Sequence, residues 1–382
     1  MLAAALTLAT LAHPFPPTDT TLDVHFKGRV TELGELGSRL PGEVAEPLVL
    51  HAQRYADWAE EFGYEIGVSE DGRVLLFAES VPTIRDRMKL VEKALAAFDE
   101  LLPPVDRSGS DETFDDGAFG EAHHRPDSAP IVLFEVDTPD AYKALALRVG
   151  EQEPKLSAWA ASQAEKPGFL EARVPAAGWQ RIPRDFDLDS VWRTKNELVN
   201  RLARLALHRS YGPMPTWLSV GLAWQVEMEV MGTIYSFPYR TEFVSVVEHE
   251  GWKAELKSRF RRRKKDDLRM DEFANWRINT WDEERASVGW GVADFLAQHR
   301  TDALPKIAED FRLLYKDGFR WTNDDGTWGT NPTYQVPLEE QLRVMEEHTG
   351  DELLPTLTAY LGSSSSPVCS SMTRSCSSSG TW

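Results

Sequence analysis

The chain has 382 residues, 42% apolar and 27% charged, and 42 Lys and Arg against 61 Asp and Glu leave a net charge of −19. This is an ordinary globular composition for about two or three domains, and so acidic a surface excludes general nucleic-acid or anionic-membrane binding, though not a local basic patch. No apolar run reaches the roughly 18–20 residues of a membrane span, and Cys369 and Cys376, the only cysteines, sit in a Ser-rich tail, which excludes a disulfide framework, a cysteine metal site and cysteine catalysis in the body.

In chain order, Met1–Ala12 is short, Leu- and Ala-rich and followed by His13-Pro-Phe-Pro-Pro17. It reads as the apolar core and cleavage region of a secretory signal without a positively charged start, so residues 1–17 are expected to direct export, to the periplasm or outside the cell; a buried first element in a cytoplasmic protein is the alternative. Residues 18–185 alternate helix and strand patterns. Pro47 to Phe62 has apolar positions at helical spacing, with Pro47 suited to a first turn. Arg73–Phe77 and Ile131–Val136 are buried-strand patterns, Phe169–Val174 is a third strand candidate, and Ile84–Leu102 and Asp140–Val149 are amphipathic helices, the first stopped by Pro103-Pro104. Ser108–Asp127 is polar, acidic and Gly-containing, a surface loop. From Ser190 to Tyr360 the pattern is mostly helical, and Ser363–Trp382 has no apolar period and is expected to be a disordered tail. The fold class expected is α+β, an N-terminal α/β half followed by a helical half.

One stretch carries the chemistry. A helix over 190–209 contains Asn196-Glu197-Leu-Val-Asn200. A Gly212-Pro-Met-Pro215 turn follows, and a second helix opens Trp217-Leu-Ser-Val220-Gly221-Leu-Ala. Residues four apart share a helix face, so Asn196 and Asn200 point the same way. The pair of helices resembles the active-site region of gluzincin metallopeptidases, specifically the bacterial peptidase MA-like family. That family carries H-E-x-x-H on the first helix and W-L-x-E-G-L-A on the second. The resemblance implies a zincin-like fold with a cleft between the two halves, zinc held by the two His and the second-helix Glu, and the Glu of the first motif as general base. It divides the body into an α/β subdomain (18–185), the degenerate helix pair (186–232), a helical subdomain (233–362) and the tail (363–382). Met270–Gln298 and Pro337–Leu361 look like later core helices of the family; an aromatic often found near Ala286 in relatives is absent.

Every metal-ligand position has changed. Asn196 and Asn200 stand for the two His and Val220 for the Glu; only Glu197, the base position, is kept. Zinc needs imidazole or carboxylate donors, so the expectation is no metal and no cofactor, although active relatives hold zinc. Without it, Glu197 alone could give general-base help of roughly 10²–10⁴-fold, short of peptide hydrolysis. His208 is too far along the helix to replace a ligand, and Glu227, seven residues past Val220, lies about 10 Å along its helix. Glu197 also has a structural reading, an ion pair with Arg201 at i+4.

Other candidates are weaker. His123-His124 sit in the acidic loop. The run Lys257–Lys265 is basic but carries one aromatic and is flanked by Asp266-Asp267. Asp185, Asp187 and Asp189 alternate at strand period but suit the approach to a helix, with Asp189 or Ser190 as N-cap. Asp111–Gly117 lacks the calcium-loop order. The function expected is an inactive, exported metallopeptidase homologue that retains a peptide or protein ligand in its cleft. The alternatives are an active peptidase or glycosidase working through other residues, and a structural domain with no ligand.

Overall fold

The computed structural model describes residues 22–103, 130–136, 138–152, 157–164, 170–171, 176–180, 193–236, 247–262, 268–275, 283–322, 328–330, 334–350 and 352–363. The chain divides into two compact units, residues 1–92 with 110–183 and residues 93–109 with 184–382. It is α+β: the first unit holds a mixed sheet with helices, and the second is mostly helical.

The sheet of the first unit uses β1 (Asp23–Phe26), β2 (Arg29–Glu32), β3 (Glu65–Val68), β4 (Val74–Ala78), β5 (Ile131–Val136), β6 (Leu170–Glu171) and β7 (Ala176–Gln180), in the spatial order β2-β1-β3-β4-β5-β7-β6. Pairs β1–β2, β3–β4 and β6–β7 are antiparallel; β1–β3, β4–β5 and β5–β7 are parallel. Every residue of β4 and β5 is buried, as expected of central strands covered on both faces, which read as continuous apolar runs. One face carries Val24, Phe26, Ile66, Val68, Leu75, Phe77, Val132, Phe134 and Val136. It packs against residues of α1 (Leu33–Arg39), α2 (Gly42–Arg54), α3 (Ala56–Phe62) and α5 (Pro139–Gln152), and α6 (Ser157–Ala164) packs on α5. Tyr55, Trp58, Phe77 and Phe134 form its aromatic centre, with Phe77 stacked on Phe134 at 4.6 Å.

The opposite face meets α4 (Val81–Leu101). There Gly67 lets the helix approach: a Cβ at this position would stand 2.7 Å from Ile84 Cγ2. On the same face Glu135 is buried and takes a two-pronged bond from Arg87 of α4, at 2.6 and 2.8 Å. Strands β1 and β2 are joined by Lys27-Gly28, with φ of +49° and +75°. Two consecutive left-handed residues make the tight turn whose twist matches paired strands.

The second unit is built from α7 (Thr194–Tyr211), α8 (Thr216–Met231), α9 (Val247–Arg262), a 3₁₀ turn at Met270–Glu272, α10 (Glu283–His299), α11 (Leu304–Phe319), a hairpin of β8 (Arg320–Thr322) and β9 (Trp328–Thr330), α12 (Leu338–Thr349) and α13 (Leu353–Gly362). Helix α8 is its axis. Ten of the eleven residues from Trp217 to Glu227 are buried, so this helix is apolar nearly all round, as a central helix must be. Gly221 lets α10 close on it, since a Cβ there would meet Ala293 Cβ at 2.6 Å. Trp217 donates its indole N–H to Gln341 (2.9 Å), and Trp224 donates to the Ser236 carbonyl (2.6 Å). Both tryptophans are therefore buried without stranding a donor.

The helix expected over 47–62 is two helices broken at Tyr55, and Pro47 lies inside α2, which starts at Gly42 behind Pro41. The strand expected over 169–174 is observed at Leu170–Glu171, and the longer β7 was not anticipated. Helix α7 starts at Thr194 with Arg193 at its N-cap, not at Asp189 or Ser190. Residues 1–17, Ser108–Asp127 with His123, His124 and Asp111–Gly117, Asp185, Asp187, Asp189 and the tail from 364 lie outside the described residues. Among the described residues no helix is long and apolar enough to cross a membrane.

Candidate functional site

Helices α7 and α8 form an antiparallel hairpin closed by the four residues Gly212–Pro215. Gly212 has φ +74° and its N–H reaches back to the His208 carbonyl at 2.8 Å, which ends α7. The short connection fixes which residues oppose each other. Asn200 lies eleven residues before the end of α7 and Glu227 eleven after the start of α8.

The two asparagines converge, and the residue they converge on is Glu227. Asn196 donates through Nδ2 to Glu227 Oε1 (2.9 Å) and to the Thr233 carbonyl (2.9 Å); Asn200 donates through Nδ2 to Glu227 Oε2 (3.2 Å). The Tyr235 backbone N–H is the third donor to the Glu227 carboxyl and reaches Oε1 at 2.7 Å. Asn196 is 3% exposed, Asn200 2% and Glu227 0%. Thr233 O can only accept, so the Asn196 amide is held with its NH2 toward Glu227. Burial raises Glu227 from 4.5 to about 8, against the pull of its three N–H donors and with the help of the nearby Glu197 charge.

Val220 is not part of this cluster. It is buried and shares a helix face with Glu227, but two turns, about 10 Å, nearer the hairpin connection. The position read as the third ligand therefore falls opposite the C-terminal part of α7. The same 10 Å had set Glu227 aside as a ligand. The distance stands, but the point of convergence is at Glu227.

Glu197 forms the ion pair that its i+4 spacing predicts, with Arg201 Nε 3.3 Å from its carboxylate. Burial raises the Glu197 carboxyl above its ordinary value, opposed by Arg201, by the Ser236 hydroxyl beside it and by Arg204. Two carboxyls thus share a buried pocket of polar groups, one next to arginines and the other under amides. Arg201 is given by its i+4 spacing from Glu197, whereas Arg204, Thr233, Tyr235 and Ser236 carried no sequence signal of their own. Glu227 carried one: an acid at the end of a run of apolar residues inside a helix.

The arrangement does not suit zinc. Each asparagine turns its NH2, a donor with no lone pair to offer, toward the carboxylate, and that carboxylate is already met by three N–H groups. Among the described residues no group of three or more His, Cys, Asp or Glu is placed to hold a metal ion. In the basic run, Arg259 pairs with Glu272 and Glu284, and Phe260 is buried.

No family model matches the chain, and comparison with curated proteins gives no match. The metallopeptidase resemblance rests on the residues of this helix pair.

Proposed function

We propose that the protein is a catalytically inactive homologue of zinc metallopeptidases of the gluzincin kind, with a zincin-like scaffold whose remaining role is to bind a peptide or protein. One observation supports the reading. The two residues at the ligand spacing of the resembled motif face a buried carboxylate from the second helix and are joined to it by amide–carboxylate hydrogen bonds, an arrangement that needs no metal. An active hydrolase working through its carboxylates has less support, since Glu227 is fully buried and Glu197, 8% exposed, is committed to Arg201. Export from an opening signal segment belongs to the same proposal, and recovery of a chain cleaved near Ala12 outside the cytoplasm tests it.

The main test is zinc binding by the parent and by N196H/N200H, alone and with V220E. The parent is expected to hold no stoichiometric zinc after dialysis and to leave a casein substrate intact. The double variant is expected to bind one zinc with the native Glu227 as third ligand, and V220E is expected to add nothing. About one zinc per parent chain together with casein cleavage would overturn the proposal. So would a folded double variant that binds zinc no better than the parent.

A further inference from the structure

A second site lies in the first unit. Between α4 and the β1–β2 hairpin is a cavity of about 320 Å³, lined among others by His25, Lys27, Val68, Arg85, Met88 and Lys89. Its volume is at the small end for a ligand pocket. It exists because the sheet outruns its cover. On the α4 face, Gly67 of β3 is in contact with Ile84 and Met88, and the next strand outward, β1, presents His25 opposite Gly67. One strand further, Val30 of the edge strand β2 pairs with His25 and is 59% exposed, the largest exposure of any large apolar residue described. Val81, Ile84 and Met88 of α4 give the cavity an apolar wall.

The charges around the mouth run against those of the chain. The protein carries −19, yet this cavity is lined by Lys27, Arg85 and Lys89 against Glu70 and Glu92. The carboxylates are engaged. Glu70 pairs with Lys27 at 3.2 Å, and Glu92 accepts the Glu70 backbone N–H at 2.7 Å. His25 is bonded to Glu65 at 2.9 Å. Burial raises the Glu92 carboxyl above its ordinary value. Arg85 and Lys89 are exposed and have no acidic partner among the described residues. They stand four apart on one helix, where two like charges repel each other, in a chain with carboxylates to spare. Two unneutralised cations beside an apolar wall suit a ligand with one anionic end and one apolar end, because the head keeps its charge interaction at the wet rim while the body leaves water.

We propose that this cavity binds a small organic anion, a carboxylate or phosphate on a short aliphatic or aromatic body, with Arg85 and Lys89 holding the head and Val81 and Met88 the body. The test is calorimetric titration of the full chain at pH 7 with octanoate and with phenyl phosphate, and with octylammonium and octanol as cationic and neutral counterparts. At least one of the two anions is expected to bind with a Kd below about 1 mM, and the tighter anion names the head group. R85Q/K89Q is expected to weaken that binding by about tenfold or more; Gln keeps the helix propensity of the residues it replaces. M88W, which fills the cavity from the apolar side, is expected to abolish it. The proposal fails if neither anion binds by about 5 mM, if the double Gln variant binds the anion as the parent does, or if octylammonium binds as tightly as octanoate. None of these results depends on the zinc titration, so either proposal can fail alone.

Discussion

Replacing Glu227 with Gln should change how stability responds to pH. In the folded chain the Glu227 carboxyl ionises at about 8, against 4.5 ordinarily. Below pH 4.5 it is protonated whether folded or unfolded and contributes no pH dependence. Between 4.5 and 8 the unfolded chain has released the proton and the folded chain still holds it, so stability falls as pH rises. Above 8 both forms are ionised and the loss is complete. At about 1.4 kcal/mol per unit over about 3.5 units, the complete loss is on the order of 5 kcal/mol, a large share of the roughly 5–15 kcal/mol that holds a typical domain. The hydrogen bonds allow the neutral form. Oε1 already takes Asn196 and Tyr235, so the proton belongs on Oε2, facing Asn200. Asn200 can then turn its amide to accept through Oδ1. Glutamine fits the same pattern, with its NH2 in place of the O–H. In urea unfolding between pH 5 and 9, the parent should lose stability and E227Q should lose about 2–4 kcal/mol less over that range. A slope remains in the variant, because burial also raises Glu197. If the two curves run parallel from pH 5 to 9, the carboxylate is not held neutral and the account of the cluster is wrong.

Two further outcomes test the packing. G221A should cost about 1–3 kcal/mol, because the new Cβ would stand 2.6 Å from Ala293 Cβ and 3.3 Å from the Gly289 carbonyl; an unchanged melting temperature would show that α10 can retreat. R87M should cost about 3–5 kcal/mol by leaving the buried Glu135 without its two-pronged partner, and R87M/E135L should recover most of that in chemical denaturation. Equal losses in the single and double variants would mean that packing of the arginine stem, not the charge, is what Arg87 supplies.

The long elements were legible in the sequence because one signal dominates each of them. Helix α4 shows helical periodicity for five turns, and β5 is an apolar run interrupted only by Glu135 because both its faces are covered. Strands β1, β2 and β3 have four residues each. Segments such as Asp-Val-His-Phe and Arg-Val-Thr-Glu are too short and mixed for a period to emerge. Their best sign was the Lys27-Gly28 pair, which only a turn of positive φ explains once the strands are seen. Pro47 misled because its missing N–H suits a first turn. Within α2 the cost of that missing donor is carried by the helix, whose Leu48 and Ala52 bury against the sheet.

At the candidate site, the shared face of Asn196 and Asn200 follows from 3.6 residues per turn and needs no structure. What faces them depends on a second number, the register across the hairpin, which a motif alone does not supply. In two helices joined by a four-residue turn, positions equally far from the turn oppose each other. Eleven residues back is Asn200 and eleven forward is Glu227, whereas Val220, four forward, lies opposite Leu207. Counting outward from Gly212–Pro215 would have found Glu227 from the sequence. An acid in the middle of a buried interface needs donors, and the residue that the count places across from it, Asn200, is an amide, as is Asn196 one turn further. Seen this way the cluster is self-consistent without any metal. The asparagines satisfy a carboxylate that the hairpin register obliges them to meet, and histidines at the same positions would meet it too, which is why Glu227 and not a restored residue 220 should decide whether zinc binds.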